Sequence, residues 1–304
     1  MRDYPRLDVV TFGRHLLEAD ELDPVYVALY RARLHRDLLA RWLVAYWCYY
    51  DTGVASYMAE HKGPEFWRLM EIAAANEQPA PTGERWRRAK ERRHFRGESA
   101  IKAVARLRER YGDRPEGMVE YVAGDGGPFV SLAKRATKHY KFGPWIAFKI
   151  GDMVERVIGV PVDFSEADVF MFPDPKKAAL MLWRRAEGLP DTAKPKDKKT
   201  ETQIIRQVVN HLGRQFADYT APPRHDRPVA LQEIETVLCC WKSHVNGHYP
   251  LYNDIEEINE SMVPWRDHSA VARTFADAMP KGRASQPGTE TPPRRLEDDD
   301  QQAA

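Results

Sequence analysis

Apolar residues recur along most of this chain at three- and four-residue intervals, and runs with the two-residue alternation of a half-buried strand are scarce. That pattern predicts an all-α architecture. Val25, Leu29, Leu38, Leu39, Leu43, Tyr46 and Trp47 form an aromatic-rich series that reads as two core helices with a break near Leu34 to Asp37. Asp23 suits the cap of the first and Pro24 its first helical position, where the missing N–H costs nothing. Further helices are predicted over residues 65–75, 99–111, 116–123, 129–139, 144–158, 175–187, 201–216 and 231–244, with a last one from Asp254. The aromatic stripe of Tyr46, Trp47, Tyr49 and Tyr50 reads as core rather than as a base-stacking platform.

Residues 188–200 are rich in Lys and Pro and read as a linker. Residues 280–304 carry Pro, Gly and charge with almost no large apolar side chain, the composition of a disordered tail. The expected organisation is a helical domain over 1–187, the linker, a C-terminal helical region over 201–279 packing on the first, and the tail. No fixed-period repeat, Gly-x-Gly-x-x-Gly or Walker-type loop is present, which disfavours a nucleotide-cofactor fold.

Composition narrows the class. At 304 residues with 43% hydrophobic and 11% aromatic side chains, the chain can bury a sizeable core. No apolar run approaches the roughly 20 residues that span a bilayer, and the N-terminal segment lacks the apolar stretch of a signal peptide, so a cytoplasmic protein is expected. Three cysteines, Cys48 and the vicinal Cys239 and Cys240, suggest neither a disulfide framework nor a four-ligand zinc site.

The 46 basic and 45 acidic side chains nearly cancel, which argues against a nonspecific nucleic-acid coat, but their placement is uneven. Residues 85–96 interleave Arg and Lys with aromatics, whereas 297–300 are acidic. Arg92, Arg93, His94 and Arg96 stand beside Gly97 in an expected turn, where they could meet phosphates or a pyrophosphate leaving group. A solvated helical face is the plainer alternative.

Two more segments carry candidate chemistry. In Lys141-Phe142-Gly143-Pro144-Trp145-Ile146-Ala147 the glycine can supply the unusual backbone angle of a tight hairpin, and Pro144 opens the helix that follows. Ile146, Ile150, Met153, Val154 and Val157 repeat at helical spacing, Gly159 can stop the helix, and Asp163 follows in a Val-Asp turn. On these residues alone a plain helix start, with Asp163 capping a helix through Glu166 and Val169, is the favoured reading, since short Gly-Pro turns are common. In the C-terminal region, Glu235 and Lys242 are seven apart on one helix face with Cys239 between them, so they could reach a common site. His244 and His248 have i,i+4 spacing, but Gly247 interrupts the helix and no further metal ligands are announced. Helix-ending Lys and His are also favoured simply by the helix dipole.

The segment from Phe142 to Asp163 resembles the helix-hairpin-helix DNA glycosylases. That resemblance implies that hairpin amides and a helix N-terminus grip a DNA phosphate, with Phe142, Gly143, Trp145 and Lys149 on the DNA side together with Arg96, and with Asp163 as the catalytic carboxylate. Trp145 occupies the position of the Schiff-base lysine of bifunctional members, which disfavours a lyase reaction. Four blocks extend the likeness over residues 5–265: 22–47, 91–97, 142–163, and 220–249 with its Glu235-to-His244 run. Together they resemble the bacteriophage amino acid:DNA transferases, relatives of the α-glutamyl/putrescinyl thymine pyrophosphorylases.

What this implies is replacement of pyrophosphate on 5-pyrophosphoryloxymethyl-uracil in DNA by the amine of an amino acid or polyamine. The base would be flipped from the duplex. Under that reading Asp163, His94 and His244 are the catalytic candidates, and Arg92, Arg93, Lys242, Glu235 and His248 the substrate-binding ones. The implied partners are double-stranded DNA carrying the modified thymine and the amine donor. No cofactor is implied, and a divalent cation accompanying the pyrophosphate stays open. A glycosylase acting on a modified base and a DNA-binding module without chemistry are the competing readings.

Overall fold

The computed structural model describes residues 4–165 and 172–282, and these form fourteen α-helices and two two-residue strands. The helices are α1 (Val9–Glu18), α2 (Pro24–Ala32), α3 (Arg36–Tyr49), α4 (Thr52–Ala59), α5 (Gly63–Ala75), α6 (Gly97–Tyr111), α7 (Glu116–Ala123), α8 (Phe129–Thr137), α9 (Pro144–Met153), α10 (Pro173–Ala186), α11 (Lys198–Gln215), α12 (Leu231–Val245), α13 (Asn253–Met262) and α14 (Ala270–Ala278). The all-α expectation is met. Among the described residues no helix is long and apolar enough to cross a membrane.

Two hydrophobic clusters hold these helices. The larger gathers α2 to α9 with α13 and α14, around Trp42, Trp47, Trp67 and Trp265. The smaller joins α1 to α10, α11 and α12, around Phe12, Leu16, Leu212, Phe216 and Trp241. The clusters interleave in sequence, because α1 packs with the C-terminal helices while α13 and α14 return to the N-terminal body. Buried indoles spend their N–H groups inside: Trp42 donates to Ser56 Oγ at 2.9 Å and Trp67 to the Gly112 carbonyl at 2.6 Å. Burial of each of these two rings then contributes on the order of 1.5–3 kcal/mol without stranding its donor.

Several expected boundaries shift for local reasons. The 188–200 linker ends earlier, since Asp197 accepts the Thr200 N–H at 2.7 Å and starts α11 at Lys198. The helix expected over 144–158 is α9 followed by a π-turn at Val154–Ile158, and Gly159, with φ +83°, ends it as predicted. Helices α1, α4 and α14 were not anticipated. The helix expected through Glu166 and Val169 and nearly all of the tail lie outside the described residues.

The strands β1 (Gly127–Pro128) and β2 (Val162–Asp163) pair in parallel, Gly127 with Val162 and Pro128 with Asp163. Gly126, at φ +84°, admits this approach because a Cβ there would collide with the Pro161 carbonyl oxygen. The clasp ties the entry of α8 to the exit of α9, so the two helices run side by side with the 138–143 turn at their far end.

Candidate functional site

The turn between α8 and α9 builds an open helix N-terminus. Lys141, not Gly143, takes the left-handed conformation, with φ +68°, while Gly143 is extended at φ −94°. The glycine therefore serves a different purpose from the one its sequence context suggested. A Cβ on Gly143 would meet nothing within 4 Å, so the missing side chain leaves clear space before α9. Gly143 makes no side-chain cap and Pro144 has no N–H, so the amides of Trp145 and Ile146 keep their donors for a ligand.

These amides border a cavity of about 680 Å³ whose lining includes His94, Arg106, Lys138, Tyr140, Lys141 and Trp145. Tyr140 is surrounded by cations, with Arg106 at 4.7 Å, Lys141 at 5.5 Å and Lys102 at 5.9 Å from its ring centre. The basic segment and the hairpin, 45 or more residues apart in sequence, thus meet at one largely cationic surface.

Arg92 is the link between them. Buried, it donates from Nε to the Cys48 carbonyl at 2.9 Å and from Nη1 to the Lys141 carbonyl at 3.0 Å, between the rings of Phe95 and Phe142. Burial brings its guanidinium down to about 10. Its Nη2 has no hydrogen-bond partner among the described residues, and Arg92 lines the cavity. Phe142, expected on the DNA side, is instead buried under Arg92 because its ring supplies the guanidinium's apolar wall. Arg93 and Arg96 are exposed and outside the cavity lining.

Below the hairpin, one face of α9 and its π-turn carries Trp145, Lys149, Asp152 and Arg156 into the junction of the two hydrophobic clusters. Trp145 meets Tyr50 edge-on at 4.9 Å, and Tyr50 stacks on Tyr46 at 4.4 Å. Lys149, expected to reach DNA, turns inward: its Nζ lies 3.8 Å from both Asp23 Oδ1 and Glu235 Oε2. Arg156 reaches Asp23 at 2.6 Å, Asp152 at 3.3 Å and Glu233 at 3.5 Å, and Arg227 bridges Glu155 and Glu233 at 2.8 and 2.9 Å.

Asp23 sits at the cap position of α2 but makes no cap bond. It adopts φ +55°, an expensive conformation for a residue with a side chain, and aims its carboxylate at Lys149 and Arg156.

The charges do not cancel. Five carboxylates, Asp23, Asp152, Glu155, Glu233 and Glu235, face three cations, Lys149, Arg156 and Arg227, leaving two negative charges over if all ionise. Burial pushes Asp152 up to about 7, with Asp23 and Glu233 adding repulsion that Arg156 only partly offsets. Burial also raises Glu235 against the pull of Lys149. At Asp23 burial works upward too, but Lys149 and Arg156 win and hold it below the usual carboxylate range. Lys149 is driven the other way: burial disfavours its charge, yet Asp23 and Glu235 keep it firmly protonated.

Asp152 and Glu233 are sealed, whereas the Lys149 and Asp23 side chains keep 11% of their surface and Glu235 keeps 6%. The reachable edge is therefore Asp23, Lys149 and Glu235, one helical turn from Trp145.

The remaining candidates stand apart. Asp163 is exposed and accepts the Ser165 N–H at 2.8 Å, which lowers its pKa. It lies at the clasped end of α8, which is about 14 Å long at 1.5 Å per residue, while the hairpin is at the other. His244 is fully buried with both nitrogens engaged, Nε2 accepting from the Leu7 N–H at 3.0 Å and Nδ1 donating to the Tyr249 carbonyl at 2.7 Å. Burial lowers its pKa, and the ring clamps the N-terminal segment to the end of α12. Lys242 pairs with Asp174 of α10 at 2.8 Å, so it and Glu235 do not share a site, and His248 is exposed. Among the described residues no three His, Cys, Asp or Glu side chains are disposed to hold a metal ion.

Sequence reasoning missed Asp23 as more than a cap, weighed Glu233 only beside Lys242 and His244, and missed Asp152, Glu155, Arg156 and Arg227 altogether. The one local signal was the run Lys149, Asp152, Arg156, charged residues on an otherwise apolar helix face.

Comparison with known proteins agrees with a DNA-directed enzyme. The amino acid:DNA transferase family model matches residues 9–249. The chain is 48% identical over 287 residues to a glycinyltransferase of Pseudomonas phage PaMx11, covering 92% of this chain and 98% of the relative. It is 23% identical over 264 residues to a putrescinyltransferase of Delftia phage PhiW-14, covering 84% and 78%. The matched region runs from α1 to Tyr249 and includes the hairpin and every member of the carboxylate cluster; the chain is a transferase and belongs to the amino acid:DNA transferase family.

Proposed function

We propose that this protein acts in the host cytoplasm and transfers the amine of a small amino acid, glycine before a polyamine, onto 5-pyrophosphoryloxymethyl-uracil in DNA, releasing pyrophosphate. The glycinyltransferase relative supports the donor. The observation that carries the chemistry is the surplus of buried carboxylate around Lys149, whose partly accessible edge of Asp23, Lys149 and Glu235 lies one helical turn from Trp145. An incoming donor arrives as an ammonium ion, which a cluster with more carboxylates than cations attracts, and it must lose a proton before nitrogen can attack.

Glu235 takes that proton, since its raised pKa makes it the better base, while Asp23 and Lys149 orient the donor's charged ends. The amine nitrogen then bonds to the base's exocyclic methylene carbon as the carbon–oxygen bond to pyrophosphate breaks. The leaving group carries away the bonding pair. Its charge is met by the Trp145 and Ile146 amides, Arg92, Lys138 and Lys141, with His94 placed to donate a proton. Trp145 and Tyr50 offer flat apolar surface to an everted base.

The test is incubation of the purified protein with DNA carrying the modified base and one amine at a time, followed by nucleoside mass spectrometry. Pyrophosphate release with a nucleoside that carries glycine, bonded through nitrogen, on the exocyclic methylene in place of pyrophosphate supports the reading. Free base would assign a glycosylase instead, and an unaltered nucleoside would exclude both.

A further inference from the structure

Away from the hairpin and the carboxylate cluster, a groove of about 1150 Å³ runs between α11 and the start of α12. Its floor is apolar, with Ile205, Val209 and Ile234. One wall is a ridge of α11 in which Lys198, Thr202, Arg206, Asn210 and Arg214 follow each other at intervals of four residues. Lys198, Arg206, Asn210 and Arg214 present donors on this ridge, whereas the Thr202 hydroxyl donates to the Lys198 carbonyl at 3.0 Å within the helix; the positions recur about every 6 Å along the helix axis.

The charge of this wall is unbalanced. Lys176 and Glu201, both in the lining, pair with each other at 2.5 Å. Lys198, Arg206 and Arg214 form no ion pair among the described residues, although the chain as a whole carries 46 basic against 45 acidic side chains. A molecule so nearly neutral overall has collected three uncompensated cations along one groove about 24 Å long. At one end Ser165 joins the lining, two residues after Asp163 and beside the clasp that closes α8 and α9. The groove therefore has the clasped end of α8 and α9 beside its Ser165 edge, with the hairpin at the opposite end of those helices.

We propose that the α11 ridge is a second DNA-backbone contact, distinct from the hairpin, which holds phosphates flanking the base being modified. The occupant is nucleic acid because the unpaired groups are all cations or neutral donors and the enzyme's macromolecular substrate is a polyanion. A span of about 24 Å corresponds to roughly seven base pairs at 3.4 Å each. The hairpin fixes the nucleotide to be everted, and the ridge fixes the direction in which the duplex leaves. The inference rests on DNA as substrate and not on the chemistry of the transfer.

The experiment compares wild type with Lys198→Ala/Arg206→Ala/Arg214→Ala for binding to a 30-base-pair duplex of ordinary thymine over a range of salt concentrations. The three positions carry no ion pair and make little core contact, so the variant should keep the wild-type melting temperature. Loss of three phosphate contacts should lower the slope of log affinity against log salt by about 2–3, at roughly 0.9 per contact, and weaken binding at least tenfold at low salt. Arg206→Glu alone should weaken it in the same direction. An unchanged slope in the triple variant overturns the proposal, as does a change in self-association by sedimentation with DNA binding intact. Because the duplex lacks the modified base, either result is independent of whether amine transfer occurs.

Discussion

Arg156 and Asp23 meet at 2.6 Å, joining the end of α9 to the entry of α2 and holding Asp23 in a left-handed backbone conformation with its other oxygen toward Lys149. The contact gives Asp23 a structural duty alongside its place at the open edge of the cluster. Removing Asp23 takes the shortest ion pair from Arg156 and one of two carboxylates from Lys149, leaving both buried cations with only their longer contacts to Asp152, Glu233 and Glu235. Asp23→Ala should therefore destabilise the protein by about 3–5 kcal/mol, measured as the shift in urea midpoint, and Asp23→Asn by less because the amide still accepts from Arg156.

Asp152 gives the cluster a pH signature. Its folded-state pKa of about 7 lies above the unfolded value of about 3.9, so the native state holds this proton more tightly. Its contribution to stability is full below pH 4, declines as pH rises through about 7, and is flat beyond. Asp152→Asn cannot lose the proton. The melting temperature of the variant relative to wild type should rise between pH 5 and pH 8, by about 2–4 °C for each kcal/mol removed. A constant difference would place the titration elsewhere.

Gly143 separates folding from DNA binding. Its backbone is open to any residue and a Cβ would meet nothing, so Gly143→Val should change stability by no more than about 0.5 kcal/mol. The added methyl groups would stand over the free amides of Trp145 and Ile146. DNA affinity should fall about tenfold, read by anisotropy with a fluorescent duplex.

His244 separates structure from chemistry in the opposite way. With both ring nitrogens bonded to backbone, His244→Ala should cost about 2–4 kcal/mol in denaturant unfolding. The turnover of the protein that remains folded should stay within a few-fold of wild type. A selective loss of kcat without loss of stability would return His244 to the mechanism.

The hairpin was legible in the sequence because its determinants are adjacent: Gly143, Pro144 and the apolar repeat after them set a helix start whatever the surroundings. Helix α7 was bounded at the same residues for a like reason, with Pro115 before it and Gly124 after. Helix α1 had a readable signal, Asp8 as a cap followed by Val9, Phe12 and Leu16, but it is short and packs against helices nearly two hundred residues away.

The carboxylate cluster was not legible. Asp23, Lys149 and Glu235 come from three distant segments, and the sequence reads them separately: Asp23 as a cap, Lys149 as a DNA contact, and Glu235 as a substrate-binding partner of Lys242. Only packing of the two hydrophobic clusters brings them together, and only the tally of buried charge distinguishes them from solvated residues.

The most direct measurement is the single-turnover rate of glycine transfer to DNA carrying the pyrophosphorylated base, in Glu235→Gln and Asp163→Asn side by side, with duplex affinity measured for both. If Glu235 accepts the proton of the incoming amine, Glu235→Gln loses a factor of about 10²–10⁴ in rate while binding DNA within a few-fold of wild type, and Asp163→Asn keeps most of its rate. Full activity in Glu235→Gln, with the loss falling on Asp163→Asn instead, would contradict the placement of the reaction at Lys149 and move it to the clasped end of α8.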